Sequence, residues 1–141
     1  MSDDRPHAWV SAPGLWKIRG LAAFLSDYRL QGVPTPATRA VVGWGRKGTS
    51  LVGRTWAEQT RVPYLALEDG FLRSVGLGEA GAAPHSLLID DLGVHHDARR
   101  PSRLESLIRE PEPWFDTAME TRARALIQTL RDAGPSKTSM G

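Results

Sequence analysis

The stretch Tyr64-Leu-Ala-Leu-Glu68-Asp69-Gly-Phe-Leu-Arg73-Ser74-Val-Gly-Leu-Gly78 decides how this chain folds. It opens with a short apolar run led by an aromatic residue, a pattern typical of a buried strand. Two adjacent carboxylates, Glu68 and Asp69, stand where the run stops. Because ligands of open α/β sheets bind outside the carboxyl ends of the strands, these groups are predicted to line a binding crevice. The alternative is a solvated turn, since Asp-Gly is also common turn chemistry.

The residues before this stretch complete a unit of regular structure. Residues 39–44 read as a short buried strand, residues 45–50 as a polar, glycine-rich turn, and residues 51–61 as a helix that Thr49 or Ser50 can cap. A strand, turn, helix and strand within about 30 residues has the length of a parallel crossover. The predicted fold class is therefore α/β, with a short parallel sheet and helices on both faces.

The flanking segments predict three further helices and one strand. Apolar spacing indicates a helix over residues 15–25, and two close prolines make residues 31–36 a linker. Residues 86–90 are a third strand candidate that ends in another carboxylate pair, Asp90 and Asp91. Ser102 with Glu105 forms a capping box for the next helix, and residues 114–132 carry the strongest helical stripe. The chain is thus divided within one domain into residues 1–36, residues 37–110 with the site loops, and residues 111–141.

Composition narrows the classes of protein that the chain can belong to. The sequence has 141 residues, 40% hydrophobic and 24% charged, with a net charge of only +2, which predicts a globular domain without a nucleic-acid-binding tail. The absence of cysteine excludes disulfides and thiol chemistry. No apolar run approaches the roughly 20 residues that span a bilayer, and no secretory signal is visible. We therefore expect a cytoplasmic protein.

Gly43-Trp-Gly45-Arg46-Lys47-Gly48 is a literal G-x-G-x-x-G between a predicted strand and a predicted helix, and Glu68 follows 20 residues later. That pattern can indicate a dinucleotide-binding turn and hence an NAD(P)-dependent oxidoreductase. Arg46 and Lys47 also suit a phosphate or carboxylate bound directly at the turn. Thr49 stands where a nucleoside-triphosphate loop requires lysine, which argues against that site.

Two other clusters have competing interpretations. Arg73 can recognise a carboxylate or phosphate bidentately in the crevice after Glu68 and Asp69, or it can form a salt bridge to Asp69 or Asp90. His95 and His96 are adjacent, and adjacent side chains of an extended segment point to opposite faces, so no metal site is predicted there.

Four segments in order carry a resemblance to a known family: Gly43-Trp-Gly-Arg-Lys47, residues 67–78, Ser86-Leu-Leu-Ile-Asp-Asp-Leu-Gly93, and Asp97-Ala-Arg-Arg-Pro-Ser-Arg-Leu-Glu105. Together they resemble the N-terminal part of capsule polysaccharide biosynthesis and export proteins, the KpsC-like family of retaining β-Kdo glycosyltransferases. The resemblance runs from about Ser11 to the end. It implies an incomplete Rossmann-like half of the GT-B type.

The resemblance implies transfer of the acidic sugar Kdo from CMP-Kdo to a lipid-linked acceptor, with no cofactor and no metal. Retention by double displacement needs a carboxylate nucleophile and a second acid/base group. By position in the matching motif, Glu68 is the expected acid/base residue and Asp69 orients its surroundings, both within the catalytic set. Residues expected to bind substrate are Arg46, Lys47, Arg73, Ser74, Asp90 and Asp91.

Family chains are longer, and the resemblance places their nucleophilic aspartate and donor half beyond the end of this sequence. We therefore expect a fragment that has no transferase activity alone, works at the inner membrane with capsule assembly and export proteins, and self-associates through exposed apolar surface. The competing functions are a non-catalytic anion- or sugar-binding module of capsule assembly and, less favoured, the oxidoreductase.

Overall fold

A computed structural model describes residues 3–75 and 83–134 and the backbone of residues 138–139. The strands are β1 (His7–Val10), β2 (Arg29–Gln31), β3 (Thr38–Trp44), β4 (Tyr64–Asp69), β5 (Ser74–Val75), β6 (Leu87–Asp90) and β7 (Thr138–Ser139). The helices are α1 (Leu21–Phe24), α2 (Leu51–Thr60), α3 (Arg103–Arg109) and α4 (Thr117–Ala133).

The main sheet has five strands in the order β2-β1-β3-β4-β6. Strands β2, β1, β3 and β4 run parallel to one another, and α2 makes the predicted crossover from β3 to β4. β6 is antiparallel to β4, with Asp69 paired to Leu87 and Ala66 to Asp90. The predicted third strand therefore exists, and it makes the otherwise parallel sheet mixed, because the chain returns directly beside the strand that it has just left.

Alternating side chains of the strands build two cores, one on each face of the sheet. On one face, strand residues that include Val42 and Leu67 pack with Leu15, Leu21 and Leu25 from the N-terminal segment. The other face packs against α2 and the loop before α3, and its buried cluster comprises Val41, Ala57, Tyr64, Ala66 and Val94. Helices on both faces, as predicted, follow from strands that are buried on both sides.

The N-terminal segment departs from its prediction. The expected helix over residues 15–25 is instead a 3₁₀ turn, Pro13–Lys17, followed by the single turn α1. Gly20 between them has φ of 81°, which no α-helix accommodates. β1 and β2 add two strands to the sheet, and β2 includes Gln31 of the predicted linker. Leu15, Leu21 and Leu25 of the apolar stripe are buried as expected, whereas Ala22 is exposed, and two short turns rather than one helix carry them.

The C-terminal helices follow the sequence signals closely. Ser102 Oγ accepts a hydrogen bond from the Glu105 amide at 3.1 Å, which confirms the predicted N-terminal cap of α3. Gly134 ends α4 in the left-handed conformation. Neither α3 nor α4 has a buried residue, so the apolar stripe of α4 faces outward. Within the described ranges, every helix is too short or too polar to cross a bilayer.

Candidate active site at the end of strand β4

Glu68 lies near the carboxyl end of β4, on the sheet face that also carries Tyr64 and Ala66. Its side chain is 18% exposed, so the carboxylate is neither buried in hydrocarbon nor fully solvated. His96 Nε2 is 3.9 Å from Glu68 Oε1. That separation exceeds hydrogen-bond length but allows Coulomb attraction when the imidazole is protonated.

The glycines of the G-x-G-x-x-G turn make room for side chains of this protein. A Cβ on Gly43 would lie 2.2 Å from the Tyr64 hydroxyl oxygen, and one on Gly45 would lie 2.6 Å from Glu68 Oε1. Gly45 also has φ of 54°, in the left-handed region. The Tyr64 hydroxyl donates to the Gly45 carbonyl at 2.9 Å, and burial raises the pKa of Tyr64, which keeps that donor protonated. The turn thus seats Tyr64 and Glu68, a function that requires no dinucleotide.

Asp69 and Glu68 do not share a crevice. Consecutive strand residues point to opposite faces, so Asp69 lies on the face of Leu67 and of its partner Leu87. There the Arg73 guanidinium donates to Asp69 and, at 3.0 Å, to Ser74 Oγ. The structure therefore contains the Arg73–Asp69 salt bridge that was the alternative interpretation. The prediction that Glu68, Asp69 and Arg73 meet at one point of the surface was wrong, because Glu68 and Asp69 lie on opposite faces of the sheet and Arg73 is bound to Asp69.

Asp90 is an internal hydrogen-bonding hub. It is 7% exposed, and its Oδ1 accepts from the amides of Leu92 and Gly93 at 2.8 and 2.7 Å. Its Oδ2 accepts from the Arg103 amide at 2.9 Å, at the start of α3. These bonds give Asp90 a structural function, and its contact with substrate stays a prediction.

Asp91 forms a bidentate ion pair with Arg103, whose Nε and Nη2 donate to Asp91 Oδ1 and Oδ2, each at 2.7 Å. Hydrogen bonding to that guanidinium lowers the pKa of the Asp91 carboxyl. The ion pair links the end of β6 to the start of α3. Substrate binding by Asp91 also stays a prediction.

Arg46 and Lys47, on the turn after β3, differ in their surroundings. The Arg46 guanidinium carbon lies 5.5 Å from the centre of the Tyr64 ring, and its Nε is buried without a hydrogen-bond partner in the described parts of the chain. Burial is the main cause that lowers the pKa of Arg46, followed by repulsion from Arg100 and Arg54. The Lys47 side chain is exposed. Arg46 therefore lies on the face that bears Glu68, and Arg73 is held by Asp69 on the other.

A cavity of about 100 Å³ opens beside Glu68, between β4, β6 and α3, and its walls include Ala66, Leu88, Val94, His95 and Leu104. His95 stacks edge-on against both Phe71 and His96, with ring centres 5.4 and 5.2 Å apart. Sequence reasoning missed these histidines as site residues because it tested them only as metal ligands. Among the described residues, no three His, Asp or Glu side chains are grouped to hold a metal ion.

The description "Capsule polysaccharide biosynthesis protein" belongs to the family whose profile matches residues 39–133, more than half of the sequence. The chain belongs to this capsule polysaccharide biosynthesis family. The matched range includes Glu68, Arg46, His95 and His96. The resemblance inferred from the residues is thereby confirmed.

Relatives within the capsule family are longer proteins. The chain is 44% identical over 102 residues to the capsule polysaccharide modification protein LipA of Neisseria meningitidis serogroup B, which covers 72% of this chain and 14% of that protein. It is 34% identical to the lipopolysaccharide-processing protein LpsZ of Rhizobium meliloti, which covers 89% of this chain and 31% of that one. The chain therefore spans less than a third of these relatives.

A solved structure of the β Kdo 2,4 transferase KpsC from Thermosulfurimonas dismutans has the same fold. It superimposes with a TM-score of 0.85 at 37% sequence identity, over 97% of this chain and 43% of that chain. This agreement confirms the α/β class and the arrangement of a mixed sheet with helices on both faces.

Proposed function

We propose that this chain supplies the acid/base side of a glycosyltransferase site for capsular polysaccharide, on a Rossmann-like half of a GT-B-type fold. The reaction that we assign is transfer of Kdo from CMP-Kdo to a lipid-linked saccharide. The 37% identity to a β Kdo 2,4 transferase supports the reaction class. The observation that carries the proposal is the partly exposed Glu68 carboxylate, beside His96 and a cavity at the end of β4.

In this proposal, a carboxylate nucleophile first displaces CMP from Kdo. The acceptor oxygen then displaces that carboxylate from the sugar while Glu68 takes the proton of the acceptor hydroxyl. Among the described residues, His96 is the basic side chain within ion-pair distance of Glu68, and 3.9 Å leaves the carboxylate lone pairs available to a hydroxyl. Retention requires a second carboxylate as nucleophile. We assign that nucleophile to a part of the family chains outside the region matched here, so Asp69 takes no part in bond making or bond breaking.

The remaining predicted residues divide by face. Arg46 and Lys47, on the side of Glu68, would hold an acidic group of substrate. Arg73 and Ser74, joined to Asp69, would instead shape the loop that follows β4. The proposal needs neither a metal nor a resident cofactor, because CMP-Kdo already carries an activated sugar.

A lipid-linked acceptor would bring the protein to the cytoplasmic side of the inner membrane, together with the other proteins of capsule assembly and export. The outward apolar stripe of α4, with Met119, Leu126 and Ile127 at 42%, 54% and 47% exposure, suits a contact with such a protein or with a second copy.

The decisive experiment is a chimera in which residues 39–133 replace the matching segment of the Thermosulfurimonas dismutans KpsC. Kdo transfer from CMP-Kdo to a Kdo-primed glycolipid would be measured for the chimera and its Glu68→Gln form. Loss of a general base lowers turnover by about 100-fold or more, so we expect at least that reduction in kcat with little change in KM. Glu58→Gln, on the exposed side of α2, is the matched control and should leave kcat unchanged.

The same assay on the isolated chain should give no elongated product, since the chain spans 43% of the solved relative. Equal turnover of the Glu68→Gln and parent chimeras would contradict the acid/base function. It would favour the non-catalytic binding module instead. Nicotinamide fluorescence that saturates with NADPH would favour the oxidoreductase.

A further inference from the structure

Three arginines from separate segments are neighbours on the Glu68 face: Arg46 and Arg54 lie near Tyr64, and Arg100 lies near Arg46. Arg46 lies over the Tyr64 ring at 5.5 Å. Arg54 Nε, on the first turn of α2, donates a hydrogen bond to Ser50 Oγ at 2.9 Å. Both Ser50 and Arg54 act to lower the pKa of Tyr64, against the larger opposite effect of burial. Arg100, from the loop before α3, is close enough to repel Arg46. We call these three side chains the arginine cluster.

The arginine cluster lacks counter-charges in the described parts of the chain. None of its three guanidinium groups forms an ion pair there, and the buried Arg46 Nε has no hydrogen-bond acceptor. The carboxylate that attracts Arg46 electrostatically is that of Asp90, which already accepts hydrogen bonds from three amides. Elsewhere six arginines do have carboxylate partners: Arg5, Arg73, Arg99, Arg103, Arg109 and Arg124.

Gathering like charges in a partly desolvated place is unfavourable unless an anion joins them. Burial, followed by repulsion from Arg100 and Arg54, lowers the pKa of Arg46, which agrees with this crowding of like charges. The N-terminus of the ten-residue α2 adjoins the cluster. No acidic residue lies in its first turn. No side chain caps it either, because the Ser50 hydroxyl donates to the Lys47 carbonyl instead. The Ser50 and Leu51 amides donate to the carbonyls of Lys47 and Gly48, so this end of α2 favours an anion through its helix dipole.

We propose that Arg46, Arg54 and Arg100, with the uncapped start of α2, bind an oxyanion of the substrate, a phosphate or a sugar carboxylate. Guanidinium forks match both groups bidentately. The Gly45 turn joins this site to the catalytic carboxylate, since it contacts Glu68 on one side and Tyr64 on the other. Assigning the anion to substrate rests on the proposed function, whereas anion binding itself does not.

The test uses the chain as it is, with ¹⁵N NMR at constant ionic strength. Inorganic phosphate is titrated in one arm, free Kdo in a second, and sodium chloride in a third. We expect saturable shifts of the arginine Nε–H signals and of the amides of residues 48–50, with phosphate or Kdo but not with chloride. Saturation by phosphate alone assigns a phosphate of the acceptor, and saturation by Kdo assigns a sugar carboxylate.

Arg100→Gln changes an exposed loop residue, so it should weaken binding about tenfold without unfolding the protein, and Arg54→Gln should do the same. Arg122→Gln, on the exposed side of α4, is the matched control and should bind like the parent. Glu68→Gln should also keep its affinity, which separates failure of the anion site from failure of the acid/base assignment. Shifts that match those with chloride, or that Arg54→Gln and Arg100→Gln leave unchanged, would overturn the proposal.

Discussion

Replacing Asp90 tests whether this residue is a structural hub rather than a surface ligand. Its carboxylate accepts three backbone amides, those of Leu92, Gly93 and Arg103, at 2.8, 2.7 and 2.9 Å. Hydrogen bonds to a charged group contribute about 1.5–3 kcal/mol each, and a buried amide left unpaired costs about 1–3 kcal/mol. The Gly93 amide is buried, whereas those of Leu92 and Arg103 are less enclosed and can partly recover water.

Asp90→Ala should therefore lower the free energy of unfolding by about 3–5 kcal/mol, a large share of the roughly 5–15 kcal/mol of a typical domain. Asp90→Asn keeps one oxygen for Leu92 and Gly93 but turns an amide group toward the Arg103 N–H. Two donors then face each other, so we expect a loss of about 2 kcal/mol. Asp91→Asn is the neighbouring control, because an exposed ion pair contributes about 0–1 kcal/mol.

Urea unfolding followed by tryptophan fluorescence suits this chain, which has five tryptophans. With a slope of about 1.5 kcal/mol per molar urea, Asp90→Ala should shift the midpoint down by about 2 M or more. A midpoint of Asp90→Asn equal to that of the parent would refute the hub. So would an equal loss in Asp91→Asn, since both would then reflect only surface charge.

Three further predictions follow from other contacts. Gly45→Ala should destabilise the fold by about 1–2 kcal/mol and displace the Glu68 carboxylate, because φ of 54° disfavours a side chain and the new Cβ would lie 2.6 Å from Oε1. Arg103 lowers the pKa of Asp91, so the ion pair stabilises the protein at pH values above 3.8, the ordinary pKa of the carboxyl. That stabilisation is lost as the pH falls through the lowered pKa. The difference in unfolding free energy between the parent and Asp91→Asn should therefore shrink in acid. Leu126→Gln should weaken self-association by about tenfold in sedimentation equilibrium, since Leu126 is 54% exposed on the α4 stripe.

Each of these changes has a control or a contrary outcome. Gly32→Ala meets open space and should be nearly neutral in the same unfolding assay, so equal losses at Gly32 and Gly45 would remove the steric argument. A parent-to-Asp91→Asn difference that is constant with pH would mean that the ion pair does not stabilise the fold. Gln128→Ala, away from the apolar stripe, should not change self-association, and a protein that is monomeric at all concentrations would contradict the α4 contact.

Local sequence signals predicted the elements whose cause is itself local. The capping box at Ser102, the crossover helix α2 and the apolar run of β4 depend on residues within one or two turns of each other. The buried stripe around Leu21 was also visible, but the positive φ of Gly20 divided its backbone into two turns. Glu68 and Asp69 were expected to line one crevice because both stand where the apolar run stops, although strand alternation already separates their side chains.

Contacts between segments that are distant in sequence could not be predicted from local sequence signals. The antiparallel return of β6 makes Asp90 face Ala66 and brings the α3 amides onto its carboxylate. The same packing brings His96 to Glu68, and Arg100 to Arg46, across 28 and 54 residues of sequence. No spacing rule connects such pairs, because their distance depends on which sheet face each segment covers.

The sequence by itself determined the α/β class, the family, and the position of a carboxylate at the end of a central strand, since these follow from short-range apolar patterning and from motif order. Only the tertiary structure decided which charges act together. It turned Asp69 and Arg73 to one face, enclosed Asp90 in amide hydrogen bonds, and left Glu68 and the arginine cluster open on the other face. The physical reason is that a strand directs alternate side chains to opposite faces, and the elements packed on each face then determine whether a charge is neutralised or remains available for a ligand.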